Sequence, residues 1–149
     1  MDIFIREIEE KDYPAVTTLF VNEILGNNNA YDDYSDSVVL FFSKIRADKK
    51  YKTFVAVSNN DVIGFISAVS MLWIMSENIF IQCFAVRTEY QNKGIGTKLI
   101  KHMEDYAKVI GIAGVGLQSG VQRVAAHTFY EHNGYIKSNY FYKNFDSTK

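Results

Sequence analysis

The chain has 149 residues, 48% hydrophobic and 22% charged, with a formal net charge of −1. That length supports one domain with a sizeable core, and the composition is too apolar for a disordered chain. The balanced charge, without a basic tail or block, argues against non-specific nucleic-acid binding, and a single cysteine, Cys83, excludes an intramolecular disulfide.

Ile3, Ile5 and Ile8, with charges at Arg6 and Glu7, predict a short, roughly alternating strand. Met1-Asp2-Ile3-Phe4 runs straight into it without a basic, apolar leader, so a soluble cytoplasmic protein is expected. Glu9-Glu10-Lys11-Asp12-Tyr13-Pro14 reads as a helix start, with Asp12 as cap and Pro14 where a missing N–H costs little. Val16, Leu19, Phe20, Glu23 and Ile24 follow at helical spacing up to Gly26. Residues 27–34 read as a polar loop laced with aromatics, and a second helix is predicted from about 36 to 48 around Val39, Leu40, Phe42 and Ile45.

Residues 53–58 and 62–70 flank Asn59-Asn60-Asp61, a strong hairpin signal. The longest apolar stretch, residues 62–75, is broken by Gly64, Ser67 and Ser70 and is too short to span a bilayer, so no membrane partner is expected. Residues 79–86 form the next strand, a near-continuous apolar run that predicts burial on both faces. Ile95, Leu99, Ile100, Met103, Tyr106 and Ala107 recur at helical spacing to Ile110, and Gly111 ends the helix. A strand over 112–118, a helix over 121–133 ended by Gly134, and two final strands over 135–137 and 139–145 complete the chain. There is no linker-like stretch and no internal repeat, so one α/β domain is expected over residues 1–149.

Between the 79–86 strand and the following helix lies Gln91-Asn92-Lys93-Gly94-Ile95-Gly96-Thr97. Two glycines let a backbone turn tightly and approach a ligand without a Cβ in the way. The first amides of a helix lack intrahelical acceptors and sit at the positive end of its dipole, which makes such a turn a ready phosphate site. Alone, a G-x-G is a weak signal that also fits an ordinary strand-to-helix turn. It lacks the third glycine of the dinucleotide fingerprint and the Gly-Lys-Ser/Thr ending of a P-loop, which argues against NAD or ATP.

In context the turn resembles the Q/R-x-x-G-x-G/A segment of the GCN5-related N-acetyltransferases (GNAT family), with Gln91 three residues before Gly94. Phe129-Tyr130-Glu131-His132-Asn133-Gly134-Tyr135 is similar to the family's second motif, one strand and one helix later. The resemblance implies an α+β fold: a single mixed, mostly antiparallel twisted sheet flanked by helices and splayed between its fourth and fifth strands. It implies acetyl-CoA as cosubstrate, its pantetheine arm beside the backbone of Phe84, Ala85 and Val86. Its pyrophosphate would lie on the turn formed by Gln91, Asn92, Lys93, Gly94, Ile95, Gly96 and Thr97, with Lys93 and Lys98 as cationic neighbours.

An amine attacks a thioester only when neutral, so something must take its proton, and the developing oxyanion needs a donor such as the amide near Ala85 or Val86. The resemblance assigns the proton donor for the leaving thiolate to Tyr130, the catalytic residue; a core tyrosine bonded to a backbone carbonyl is the other reading. Many relatives carry a glutamate where this chain has Gln82-Cys83, so the base is expected to be a water chain to a carboxylate such as Glu77, or bulk solvent. Cys83 reads either as an acyl-accepting nucleophile or, as lone cysteines on apolar strands usually are, as a packing residue. Arg123 replaces an asparagine common in the family and reads either as a contact to the cofactor or an acidic group, or as a surface charge. His102 is expected on an exposed helix face, His127 either braces its helix or touches substrate, and His132 sits near a helix C-terminus. The three histidines show no metal-ligand spacing, and no metal is expected.

The resemblance implies an acceptor pocket between the first two helices, their loop and the final strands, here residues 27–36, Trp73, Glu77 and 140–142. Tyr31, Asp32, Trp73, Glu77 and Gln82 are its expected lining. Its acidic and aromatic residues fit a small-molecule amine of cationic character. The expected activity is acetyl transfer to a primary amine by direct attack in a ternary complex; a non-catalytic acetyl-CoA sensor or partner module is the alternative. A homodimer through the last strands is open by analogy only.

Overall fold

The computed structural model describes residues 2–27, 29–139, 141 and 143–145. It falls into two compact units, one ending at Gln118 and the other starting at Ser119.

The first unit is built on a five-stranded sheet in the order β1-β2-β3-β4-β5: β1 Phe4–Glu7, β2 Tyr51–Ser58, β3 Asp61–Leu72, β4 Glu77–Val86 and β5 Gly114–Leu117. Every neighbouring pair is antiparallel except β4 and β5, which run parallel, so the sheet is mixed and mostly antiparallel as the family pattern implies. Between the strands lie α1 Tyr13–Leu19, α2 Tyr31–Ile45 and α3 Ile95–Val109. The predicted hairpin joins β2 to β3 through Asn59 and Asn60, both at positive φ (50° and 66°). Asparagine tolerates that conformation, and two such residues make the turn whose twist matches the strands it joins.

Both sheet faces are covered. Phe65 and its partner Ala85 pack with Val55 and Val57 beneath Tyr13, Val16 and Leu19 of α1 and Val38 and Phe42 of α2. On the other face Gly64 abuts Leu99 of α3. Ile95, Leu99, Ile100, Met103 and Ala107, at the predicted helical spacing, are all buried. His102 departs from its expected exposure: its ring sits edge-on to Phe54 of β2, 4.4 Å between centroids, because helical geometry turns position 102 toward the sheet beside Met103.

α2 starts at Tyr31, five residues before the expected start, since Asp32 and Asp33 suit the positive end of a helix and fill its first turn. Asp12 closes the turn before α1 and gives α1 no side-chain cap: its carboxylate accepts the Glu9 amide (2.8 Å) and two Arg6 donors (2.7 and 2.9 Å).

The second unit holds α4, Val124–His132, ended by Gly134 at φ +87°. The two final strands are not found: among the described residues from 135 to 145 none is in a strand, and Tyr140 and Tyr142 lie outside the described residues. Tyr135 instead gives its amide to Tyr130 in the helix end (3.0 Å). A strand needs a neighbour for its backbone groups, and the described part of this unit contains no sheet to supply one.

Candidate active site

The first unit's site begins with an irregularity in β4. Ser67 pairs with Cys83 but Ala68 pairs with Ile81, so Gln82 is an extra residue, a β-bulge. The bulge switches faces. Before it Ile81 shares the α3 face with Ala68; after it Ala85 shares the α1–α2 face with Phe65. The ladder to β5 ends at the same place, running from Asn78 beside Gly114 to Ile81 beside Leu117. Past Ile81, β4 continues to Val86 paired with β3, and the sheet opens between its fourth and fifth strands.

The Arg87 amide bonds the Ile63 carbonyl (2.8 Å), which sets the alternation of the antiparallel ladder. Residues 83, 85 and 87 turn their backbone groups to β3, whereas Phe84 and Val86 turn theirs to the open side. Of the two amides expected to serve an oxyanion, Val86's faces the opening and Ala85's faces β3.

The glycine turn follows. Asn92 (φ 60°) and Gly94 (φ 82°) are left-handed, and Gly94 is the N-cap of α3 with no side-chain cap bond. A Cβ on Gly94 would meet nothing within 4 Å, so the backbone angle, and not crowding, calls for glycine. The Ile95 side chain, 1% exposed, pins the helix start into the core. Lys98 N–H closes the first helical bond, to Gly94 O (3.1 Å), which leaves the amides of Ile95, Gly96 and Thr97 without helical acceptors at the positive end of the dipole. Lys93 and Arg87 lie 5.6 and 5.7 Å from the Tyr90 ring centre, and Lys98 is exposed one turn into the helix. The arrangement can hold a phosphate group on backbone amides flanked by cations.

One contributor lies outside both sequence motifs. Glu23 lies in a π-helical turn, Phe20–Ile24, that continues α1. Its carboxylate accepts the Thr88 amide (3.1 Å), the Thr88 hydroxyl (2.9 Å) and the Gln91 side-chain amide (3.4 Å). Gln91 Nε2 also donates to Val86 O (2.9 Å). Helical spacing marked Glu23 only as part of a helix, and nothing local could reveal a partner 65 residues away.

The expected acceptor residues occupy two places. Tyr31 and Asp32 stand in the first turn of α2. Trp73 (57% exposed) and Glu77 bracket the β3–β4 turn, where Trp73 N–H bonds Ser76 O (2.7 Å) and the Ser70 hydroxyl bonds the Glu77 carboxylate. Gln82, exposed, sits at the bulge. Cys83 packs against the α1–α2 core, and burial pushes its thiol above the ordinary value. An open groove of about 600 Å³ between Tyr13, Phe42, Lys52 and Tyr106 is a poor alternative site. Tyr106 lies near the far end of α3, roughly 20 Å from the turn at 1.5 Å per residue. Among the described residues no group of histidine, cysteine or carboxylate side chains could hold a metal ion.

In the second unit, Tyr130 stands on α4 with its ring 5.4 Å from Phe129 and 6.1 Å from Tyr135. Burial raises its phenol above the ordinary value, partly offset by the Arg123 charge. His127 Nε2 lies 2.8 Å from the Gly120 carbonyl, which can only accept, so the ring donates there and braces the start of the helix.

A bulged β4 that parts from β5 after Ile81, followed by a glycine turn and a helix whose first amides lack helical acceptors, is the architecture of an acyl-CoA-dependent transferase. The acetyltransferase (GNAT) family model matches residues 4–135, and the chain belongs to that family. It is similar to the uncharacterized N-acetyltransferase YhdJ of Bacillus subtilis (strain 168), 27% identical over 97 residues, 64% of this chain and 68% of that protein. Its fold is similar to that of a transcriptional regulator from Bacillus halodurans C-125 (TM-score 0.88, 24% identity, covering 97% of this chain and all of that one). It is also similar to that of an aminoglycoside N-acetyltransferase solved with CoA (TM-score 0.82, 14% identity, 97% and 96% covered).

Proposed function

We propose that the chain transfers the acetyl group of acetyl-CoA to a primary amine of a small cationic acceptor, by direct attack in a ternary complex. The observation that carries this is the cluster of acceptorless amides at Ile95, Gly96 and Thr97 beside the open end of β4, in a chain of the GNAT family.

Gly94 and Gly96 keep side chains away from the pyrophosphate, and Lys93 and Lys98 neutralise its charge. When bound, acetyl-CoA supplies the activated thioester. Val86 N–H, turned to the opening, donates to the carbonyl oxygen as negative charge develops there. The role of proton donor to the departing sulfur goes to Tyr130 on the likeness of residues 129–135 to the family's second motif, and its phenol, raised further by burial, is protonated at neutral pH. No carboxylate stands at Gln82-Cys83, so the acceptor's proton leaves through water, with Glu77 on the same strand as relay. The raised thiol of Cys83 favours direct attack over a cysteine-bound acyl group. Exposed Asp32 and Asp33 on α2, and Glu77 beside Trp73, favour a cationic acceptor, as does the likeness to an aminoglycoside-modifying enzyme.

A second reading, a non-catalytic acetyl-CoA sensor, is favoured by the absent carboxylate and by the likeness to a transcriptional regulator. Calorimetric titration with acetyl-CoA, with NADH and ATP as controls, tests the cofactor assignment. Release of free CoA across polyamines, aminoglycosides, lysine peptides and neutral or acidic amines tests the rest. Best turnover with neutral or acidic amines would sink the cationic acceptor, and tight binding without turnover on any amine would favour the sensor.

A further inference from the structure

We infer that Glu23 is a positioning residue for the acyl-CoA turn, acting through Thr88 and Gln91. The inference rests on the acetyl-CoA reading above and names a component of the site that lies outside both sequence motifs.

Three donors converge on this carboxylate. Oε1 takes the Thr88 amide at 3.1 Å and the Thr88 hydroxyl at 2.9 Å; Oε2 lies 3.0 Å from the same hydroxyl and 3.4 Å from Gln91 Nε2. Gln91 carries two side-chain N–H groups and directs the other to Val86 O at 2.9 Å. The amide side chain therefore ties the end of β4 to the first residue of the turn, and Glu23 orients the tie. Val86, like Phe84, turns its backbone to the opening past the bulge and is the last residue of β4, so the same link sets both the strand end and the glycine turn.

The helix geometry that carries Glu23 is itself unusual. Leu25 N–H bonds Phe20 O, five residues back, at 3.0 Å. A π turn carries one residue more than an α turn and rotates its own later residues about the axis; such turns recur at functional sites. Here the rotated residue is the one that reaches Thr88.

The charge of Glu23 makes the inference decidable. A carboxylate near a pyrophosphate site opposes anion binding through space. If Glu23 acted by charge alone, Glu23→Gln would bind CoA more tightly than the wild type. If it acts by position, Glu23→Gln keeps the acceptor for Thr88 but sets an amide against the Gln91 amide, and binding weakens.

The experiment measures the CoA dissociation constant by calorimetry, with KM for acetyl-CoA and kcat, for the wild type, Glu23→Ala, Glu23→Gln, Gln91→Met and the Glu23→Ala/Gln91→Met double variant. Expected are a rise of about tenfold in Kd and KM for Glu23→Ala, a smaller rise for Glu23→Gln, and a kcat at saturation within about threefold of wild type. The double variant should be little worse than Glu23→Ala, because both changes break one link. Thr88→Val removes the hydroxyl donor alone and serves if Glu23→Ala does not fold. Wild-type affinity in Glu23→Ala (or in Thr88→Val, where that stands in), tighter binding in Glu23→Gln, or fully additive losses would each overturn the inference while leaving the acetyl-CoA reading intact. A folded wild type that does not bind CoA would overturn that reading and the inference with it.

Discussion

Gly64 of β3 lies against Leu99 of α3 so closely that a Cβ on it would stand 3.1 Å from Leu99 Cδ1 and 3.0 Å from the Ala85 carbonyl oxygen. Leu99 is fully buried and the carbonyl belongs to the β3–β4 ladder, so neither neighbour can give way cheaply. Gly64→Ala should therefore destabilise the fold by about 1–3 kcal/mol, read from the urea midpoint. The strain would fall behind Val86, whose side chain is 3.4 Å from the same Cβ position, so CoA affinity should drop as well. An unchanged midpoint would mean that α3 can move off the sheet.

Gly94→Ala tests the turn by conformation alone. A Cβ there meets no neighbour, yet φ of +82° costs an L-residue about 1–2 kcal/mol. The helix start should shift to relieve that cost, turning the amides of Ile95, Gly96 and Thr97 away from their common focus. CoA binding should weaken by about tenfold or more, with α3 helicity retained by circular dichroism. Gly94→Asn, which tolerates the left-handed region, should recover part of the loss.

Cys83 should prove dispensable. Burial raises its thiol, so little thiolate is present at neutral pH, and its packing is that of a small apolar residue. Cys83→Ala should keep kcat within about threefold, and native protein should react slowly with iodoacetamide. Loss of turnover by about 100-fold or more, with acetyl-CoA binding retained, would replace direct attack with a cysteine-bound acyl step.

Gly94 was readable because a left-handed helix cap has a local signature, and the hairpin at Asn59-Asn60 was readable for the same reason. The continuous apolar run of β4 predicted burial on both faces, and this holds only in part: Ile79, Ile81 and Ala85 are buried, whereas Phe80, Phe84 and Val86 are half-buried and Gln82 is exposed, because the ladder to β5 stops at Ile81. The bulge at Gln82 was not legible, because one extra residue in a ladder is defined only against its partner strand. Glu23 was hidden for a related reason: its partners are far along the chain, and an exposed helix carries many glutamates without a task. The early start of α2 was legible in principle from Asp32 and Asp33, but a run of asparagines before them pointed to a loop.

Acid stability should depend on Asp12. Burial pushes its carboxyl up, but hydrogen bonds from Arg6 and the Glu9 amide, together with the Arg6 charge, outweigh it and hold the group below the usual carboxylate value. A lowered folded-state value means that the unfolded chain binds the proton more readily. The stabilisation is therefore present above the ordinary value of about 4 and is lost as pH falls through the folded value. Urea unfolding from pH 7 to 3 should show the wild type losing its advantage over Asp12→Asn at the acid end. At pH 7, Asp12→Ala should cost about 2–3 kcal/mol, since it strips the Arg6 guanidinium of a two-point partner. A constant gap between wild type and Asp12→Asn across that range would show that the carboxylate charge contributes nothing.

Tyr130→Phe separates an enzyme from a sensor. The substitution removes one oxygen and keeps the ring that packs beside Phe129 and Tyr135, so folding and CoA affinity should hold. If the phenol protonates the leaving thiolate, kcat should fall by about 10²–10⁴-fold. Burial raises this phenol above its ordinary value near 10, so the proton is in place throughout the neutral range and no acid limb should arise from it. An alkaline limb caused by its ionisation should lie above pH 10 and vanish in the variant, with the limb at lower pH, set by the amine's own deprotonation, left in place. A variant that retains full turnover would remove Tyr130 from the chemistry and leave the leaving group to take its proton from water.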